Sequence, residues 1–175
     1  MDTQQVALPQ QPEKVTLISI NKFIFLNIIT FNLYAVWWVY KTWRFFKYHD
    51  RSEILPAVRS IFYLFTLSAL FYKIKAFAIS YGSREKYSSG FLHLSVVICY
   101  LFYFCPGYLV LVAQIMFYFY LRPLAAFNFA VKKDDRYDGV IESKLNAFQI
   151  ALVICGSLLW ICVIITMLNG DFNKR

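Results

Sequence analysis

Apolar residues are collected in long stretches without charged side chains, and short basic segments separate these stretches. The stretch 147–168 is the clearest, because as a helix it would rise about 33 Å, enough to cross the ~30 Å hydrocarbon core of a bilayer. The same pattern predicts apolar helices over about 23–40, 91–105 and 108–130. We therefore expect a chain that crosses a membrane several times.

Two places interrupt this pattern. Pro106 and Gly107 lie inside an uncharged run that is too long for one crossing. Because Pro removes a backbone donor and Gly allows a tight turn, we predict a helix break there. The stretch 60–80 is apolar but contains two lysines. It is either a short crossing whose lysines reach the headgroups or a helix that lies along the membrane interface.

Composition supports the same interpretation. Of the 175 residues, 59% are hydrophobic, 20% aromatic and only 16% charged, so few charged groups would have to cover the surface of a water-soluble globule. The predicted fold class is therefore all-α, a polytopic integral membrane helix bundle of four to five hydrophobic helices with short basic loops. It forms one domain over 15–170, between a flexible polar tail at 1–14 and a polar tail at 171–175.

The net charge of +8 comes from bases whose distribution predicts how the chain is oriented in the membrane. Lysine and arginine are concentrated in the segments 41–59 and 122–146, which we interpret as loops. Such bases are retained on the cytoplasmic side of a membrane, so both loops should be cytoplasmic. An even number of crossings then has to separate them.

The first of these loops begins with a mixture of aromatic and basic residues. Lys41, Arg44, Lys47 and Arg51 are spaced three, three and four apart, which places them on one face of a helix. Tryptophan and tyrosine are typical of the headgroup level, and nearby bases attract anionic lipid. The predicted lipid or partner contacts are Trp37, Trp38, Tyr40, Lys41, Trp43, Arg44, Lys47, Arg51 and Arg59. Alternatively, this is the ordinary basic and aromatic flank of any polytopic protein.

Three short motifs lie between residues 27 and 62. They read Thr30-x-Asn32-x-Tyr34, then Trp37-Trp38-x-Tyr40-Lys41-x-Trp43, then Pro56-x-x-Arg59-x-x-Phe62. They resemble the signature of a family of small uncharacterised bacterial inner-membrane proteins, in which Gly is usual at Asn32 and Tyr is common at Trp37. Asn is the next-best residue for a left-handed turn, so Asn32 is a second predicted helix break. The resemblance implies a bacterial inner-membrane protein of several helices and brings no activity.

Residue types with catalytic or metal-binding chemistry are poorly placed for either role. All ten acids lie outside the apolar runs, and the two histidines are on different segments. The cysteines Cys99, Cys105, Cys155 and Cys162 form no Cys-x-x-Cys pair. Phosphate-binding and nucleophile motifs are absent from the sequence. We therefore predict no catalytic, cofactor or metal site.

These observations favour a non-enzymatic protein of the bacterial inner membrane with an organising or regulatory role. Its expected partners are anionic lipid headgroups and other membrane helices or a second copy of the chain. Nucleic acid is not expected, because the bases lie beside apolar segments rather than on a separate basic domain. The alternative hypothesis is a small transporter or pore subunit that has to oligomerise to enclose a path.

Overall fold

The computed structural model describes residues 12–105 and 109–169, and the chain is 73% helical. Two strands and a series of helices follow one another along it. In chain order they are β1 (Glu13–Leu17), α1 (Ile20–Ile29), α2 (Leu33–His49), α3 (Pro56–Ile61), α4 (Tyr63–Ser80), α5 (Ser89–Leu101), a 3-10 turn (Phe102–Phe104), α6 (Leu109–Val112), a second 3-10 turn (Ala113–Phe117), α7 (Tyr118–Lys133), β2 (Tyr137–Ile141) and α8 (Ala147–Leu168).

The two strands form a small parallel sheet. Glu13 pairs with Tyr137 at one end and Leu17 with Ile141 at the other. The backbone N–H of Glu13 donates to the Arg136 carbonyl at 2.9 Å, which ties the first described residues to the chain just before β2. Because a parallel pair needs a crossover connection, the helices α1 to α7 all lie between the paired strands in sequence.

The helices pack around a layer of aromatic rings. Phe23 of α1 meets Trp38 of α2 edge to face at 5.7 Å between ring centroids. Trp38 meets Tyr120 of α7 at 6.1 Å, and Tyr120 meets Phe71 of α4 at 5.5 Å. All four side chains are buried. Since edge-to-face pairs add to the energy of apolar burial, this layer joins four helices into one core.

The prediction of an all-α polytopic membrane bundle is wrong. A two-stranded parallel sheet is present, so the chain is not all-α. Within residues 12–105 and 109–169, α8 alone is long and apolar enough to cross a membrane. The prediction of a multi-pass transmembrane protein with four to five hydrophobic helices fails with it.

The other predicted crossings fail because their apolar runs are divided or too short. The run 23–40 is split at residues 30–32, and α1 has only 10 residues, which rise about 15 Å. The run 91–105 gives the 13 residues of α5, which rise about 20 Å. The run 108–130 contains a 3-10 turn. The run 60–80, predicted either to cross or to lie along the interface, is divided at Phe62.

The segment 41–59 interpreted as a basic loop is largely helical, since α2 continues to His49 and α3 begins at Pro56. The segment 122–146 contains the end of α7, up to Lys133, and β2. Of the predicted helix breaks, Asn32 lies between α1 and α2 with a φ of 63°, and Phe31 has a φ of 51°. Two consecutive left-handed residues reverse the chain there. Pro106 and Gly107 lie outside the described residues. The tail predicted at 1–14 overlaps β1 at its last two positions.

Candidate functional site

A cavity of about 290 Å³ lies between β1, α2 and the end of α7. Its walls combine aromatic rings with a few charged side chains. The lining residues are Glu13, Lys14, Val15, Thr16, Leu17, Ile18, Tyr34, Trp37, Trp38, Tyr40, Lys41, Thr42, Arg44, Phe45, Tyr48, Phe127, Asn128, Tyr137 and Glu142.

Helix α2 supplies the basic wall because of its spacing. Trp37, Lys41, Arg44 and Tyr48 are four, three and four residues apart, so they lie along one side of the helix. The other side carries Trp43 and its neighbours, which are buried in the core. The same helix therefore faces the protein interior on one side and the cavity on the other.

Lys41 is the central charge of this wall. Its pKa is lowered, first because burial penalises the ammonium ion and further because the cations Lys22 and Arg44 are near, while Glu142 acts in the opposite direction. Within the described part of the chain, neither Lys41 nor Arg44 has a carboxylate within salt-bridge distance. The cavity thus holds positive charge that its own acids do not neutralise.

Glu142, the acid that acts on the pKa of Lys41, is already engaged. Its Oε2 accepts from Lys22 Nζ at 3.2 Å and from Gln149 Nε2 at 3.2 Å. Gln149 Nε2 also donates to the Tyr34 hydroxyl at 3.1 Å. Burial, partly offset by the Gln149 hydrogen bond, raises the pKa of Tyr34 to about 12, so this hydroxyl stays protonated at neutral pH.

The structure divides the set of residues predicted to contact lipid or a partner. Trp37, Trp38, Tyr40, Lys41 and Arg44 line the cavity. The rest of the set, Trp43, Lys47, Arg51 and Arg59, does not.

Trp43 is 1% exposed and lies in the core, with the Arg59 guanidinium 4.3 Å from its ring centroid. Arg51 follows α2 with a φ of 49° and is exposed, and Lys47 is half-buried. Of the predicted basic face, Lys41 and Arg44 line the cavity, whereas Lys47 and Arg51 do not.

A second polar cluster joins the end of α2 to the start of β2. Asp134 is 3% exposed, and its two oxygens accept from Arg136 Nε at 2.9 Å and Nη2 at 2.7 Å. Arg136 Nη2 also contacts His49 Nε2 at 2.8 Å and donates to the Tyr81 hydroxyl at 3.2 Å. Because His49 Nε2 accepts this bond, Nδ1 carries the proton and donates to Asp50 at 2.6 Å. Lys73 of α4 completes the cluster by pairing with Asp50.

This cluster is a structural clamp with a fixed charge at its centre. Burial tends to raise the pKa of Asp134, but hydrogen bonds from Arg136 and Tyr81 outweigh burial and lower the pKa to about 2. The carboxylate therefore stays ionised at neutral pH and holds α2, α4 and β2 together. Over the same described ranges, no group of three or more His, Cys, Asp or Glu side chains is placed to hold a metal ion.

The spacing of residues in the sequence does not predict the cavity or the Asp134 cluster as a whole. Arg136 and His49 are 87 positions apart, and Lys22 and Glu142 are 120 apart. His93, the histidine that begins an apolar run, contacts the Leu64 carbonyl through Nε2 instead of joining a carboxylate. The aromatic and basic pattern of α2 singled out five of the cavity-lining residues as lipid or partner contacts, but it predicted no cavity and none of the residues of β1.

Comparison with models of protein families, with curated proteins and with solved structures finds no match for this chain. The resemblance of residues 27–62 to a bacterial inner-membrane family therefore stays a prediction, and the proposals below depend on the chain's own residues.

Proposed function

We propose that the chain is a non-enzymatic membrane-associated protein with an organising or regulatory role, held at a bilayer by the single helix α8. The observation that carries the proposal is the surface of this helix. Its 22 residues reach a mean hydropathy of 2.7 over an 18-residue window, and only 6% of that window is buried in the protein. A helix with an apolar surface exposed almost all round is typical of a membrane segment.

The few contacts that α8 makes resemble those between membrane helices. Gly156 packs directly on the end of α1, where a Cβ on Gly156 would lie 2.1 Å from the Ile29 carbonyl oxygen. Trp160 Nε1 donates to the Ile28 carbonyl at 3.0 Å, and its ring stacks on Phe31. Small residues at close helix contacts and hydrogen bonds between helices are the interactions that hold helices together in lipid.

Cations lie at the beginning of α8. Lys22 Nζ donates to the backbone carbonyls of Glu142 and Lys144, at 3.4 and 2.6 Å, and Lys144 itself is exposed. In a membrane this end of α8 would face anionic headgroups, and a base near such a surface contributes about 1 kcal/mol. By the rule that bases are retained inside, this end would be cytoplasmic in a bacterial inner membrane.

Vesicle flotation tests the role of α8. Leu158 and Ile161 lie near the middle of the helix and are 58% and 52% exposed, so lysine at both positions would break no internal packing. Each lysine at mid-bilayer costs about 2.5–3.5 kcal/mol. We expect the wild-type chain to float with zwitterionic vesicles, to which surface bases are not attracted, and the Leu158→Lys, Ile161→Lys double variant to stay at the bottom of the gradient.

The matched control places the same two charges on β2. Val140 and Ile141 are 50% and 42% exposed, so the Val140→Lys, Ile141→Lys variant should float like the wild type. Flotation of the α8 variant together with the vesicles would overturn the proposal, as would a wild-type chain that does not float. Circular dichroism of both variants checks that the helical content is unchanged.

A further inference from the structure

The cavity beside α2 combines two features that membrane anchoring does not use. One wall carries the cations Lys41 and Arg44, and the other walls are aromatic and aliphatic. We propose that this cavity binds a small anionic amphiphile, whose carboxylate or phosphate contacts Lys41 and Arg44 and whose apolar part lies among the aromatic rings.

The charge balance of the cavity favours an anion. The charged side chains that line the cavity are Lys41, Arg44, Lys14, Glu142 and Glu13, and Glu142 is paired with Lys22 at 3.2 Å. Lys14 is exposed on β1. Glu13 is exposed at the edge of β1. Across the described residues no carboxylate pairs with Lys41, although this side chain is largely withdrawn from water. A half-buried cation without a carboxylate within salt-bridge distance is incompletely compensated, so a bound acid group would stabilise it.

The ring arrangement favours an apolar ligand body. Trp37 stacks on Tyr40 with 5.3 Å between centroids and contacts Phe148 at 4.6 Å, so its position is fixed from two sides. Phe45 meets Phe127 edge to face at 5.0 Å. These rigid aromatic surfaces form an apolar pocket without any ordering cost for flexible side chains.

Size and access limit the ligand. A volume of about 290 Å³ is at the lower end of the ~300–1,000 Å³ that is usual for small-molecule pockets, so the ligand is a small molecule or one end of a larger one. Arg44 and Tyr48 are exposed at the rim, and the Arg44 guanidinium lies 6.0 Å from the Tyr48 ring centroid. The acid group therefore enters past Arg44 and reaches Lys41 further in.

Isothermal titration of the full chain in zwitterionic nanodiscs tests the proposal. The probes are 4-phenylbutyrate and the uncharged 4-phenylbutanol, which share the ring and the aliphatic chain. We expect saturable binding of one phenylbutyrate per chain and at least about tenfold weaker binding of phenylbutanol, because the alcohol leaves Lys41 without a counter-ion.

Variants of α2 locate the site. Lys41→Gln should weaken phenylbutyrate binding by at least about tenfold, whereas Lys41→Arg, which keeps the charge, should retain affinity within about threefold. Lys47→Gln is the matched control, since Lys47 is on the same helix and does not line the cavity, and its affinity should be unchanged. Equal binding of acid and alcohol, or an unchanged affinity of Lys41→Gln, would overturn the proposal.

A second arm identifies where the acid comes from. Nanodiscs that contain phosphatidic acid are titrated with phenylbutyrate under the same conditions. Weaker apparent binding assigns the cavity to the headgroup of an anionic lipid, and unchanged binding assigns it to a water-soluble acid. This result does not depend on α8, because the Leu158→Lys, Ile161→Lys variant should bind phenylbutyrate in plain buffer with the affinity of the wild type.

Discussion

Helix α2 begins in the charge-free run 23–40 and helix α8 fills the charge-free run 147–168, yet the two helices meet opposite surroundings. In α2 the buried positions are large and apolar, such as Val39, Trp43 and Phe46. In α8 the buried residues are Gln149 and Gly156, and the large aliphatic side chains are exposed. A run without charges therefore indicates apolar surroundings, but not whether protein or lipid supplies them.

The polar residues show why the two helices differ. Helix α2 carries Lys41 and Arg44, and the fold has to give these bases a cavity while it buries the opposite face. Helix α8 has no charged residue, and its capping box of Asn146 and Gln149 satisfies its first backbone donors. Helix α2 buries an apolar face in the core and turns a basic face to the cavity. Helix α8 turns its polar side toward the protein and its apolar surface outward.

Truncation of one large side chain in each helix should give the largest difference in stability between α2 and α8. Trp43 is 1% exposed, so Trp43→Ala should lower the free energy of unfolding by about 3–5 kcal/mol through lost burial and a new cavity. Leu158→Ala removes an exposed side chain and should change the free energy of unfolding by less than about 0.5 kcal/mol. Urea unfolding in the same mild detergent measures both. A large loss for Leu158→Ala would show that α8 packs against protein.

A methyl group at the α8 contact should have an intermediate effect. In Gly156→Ala the new Cβ would collide with the Ile29 carbonyl, so α8 has to move away from α1 at a cost of about 1–3 kcal/mol. Trp160 fluorescence, recorded in a background in which Trp37, Trp38 and Trp43 are replaced by phenylalanine, reports the movement, because the Trp160 ring stacks on Phe31 in the intact contact. Gly90→Ala is the control, since a Cβ at Gly90 meets nothing within 4 Å and stability should not fall. Equal behaviour of the two variants would contradict a close contact at Gly156.

How far the sequence predicts this molecule depends on the range of the interactions involved. The bounds of α8 follow from local composition, and the break at Asn32 follows from one residue's backbone preference. The spacing of α2 also predicts that Lys41 and Arg44 lie on one side of the helix, where both line the cavity. All of these are properties of neighbouring residues.

The remaining features depend on distant pairs. The strand 13–17 is short and exposed for most of its length, and only its parallel partner at 137–141 gives it a structure. The Asp134 clamp and the Lys22–Glu142 pair likewise join residues far apart in sequence. Interpretation of most apolar runs as crossings overlooked that aromatic residues also build a protein core, which is why the polytopic prediction failed.

Lowering the pH should weaken the Asp134 clamp at the end of α2 and leave the contact between α8 and α1 unchanged. Of the predicted changes in stability, this one should be the smallest. Asp134 has a pKa of about 2 in the folded protein and an ordinary value near ~3.9 when unfolded, so its stabilising effect is complete above about pH 4 and is lost as the pH falls toward 2. The loss is at most about 2 kcal/mol. Gly156, Trp160 and Phe31 carry no group that titrates in this range, so Trp160 fluorescence should stay constant while the clamp opens.

The contribution of Asp134 is isolated by comparison with Asp134→Asn, because other carboxylates such as Asp50, whose pKa is also lowered, titrate over the same range. The variant should be less stable than the wild type at pH 7, and the difference should shrink as the pH falls from 4 to 2. A difference that is independent of pH would mean that the clamp depends on shape rather than on the carboxylate charge. A parallel change in Trp160 fluorescence would mean that α2 and α8 open together and that the contrast between them fails.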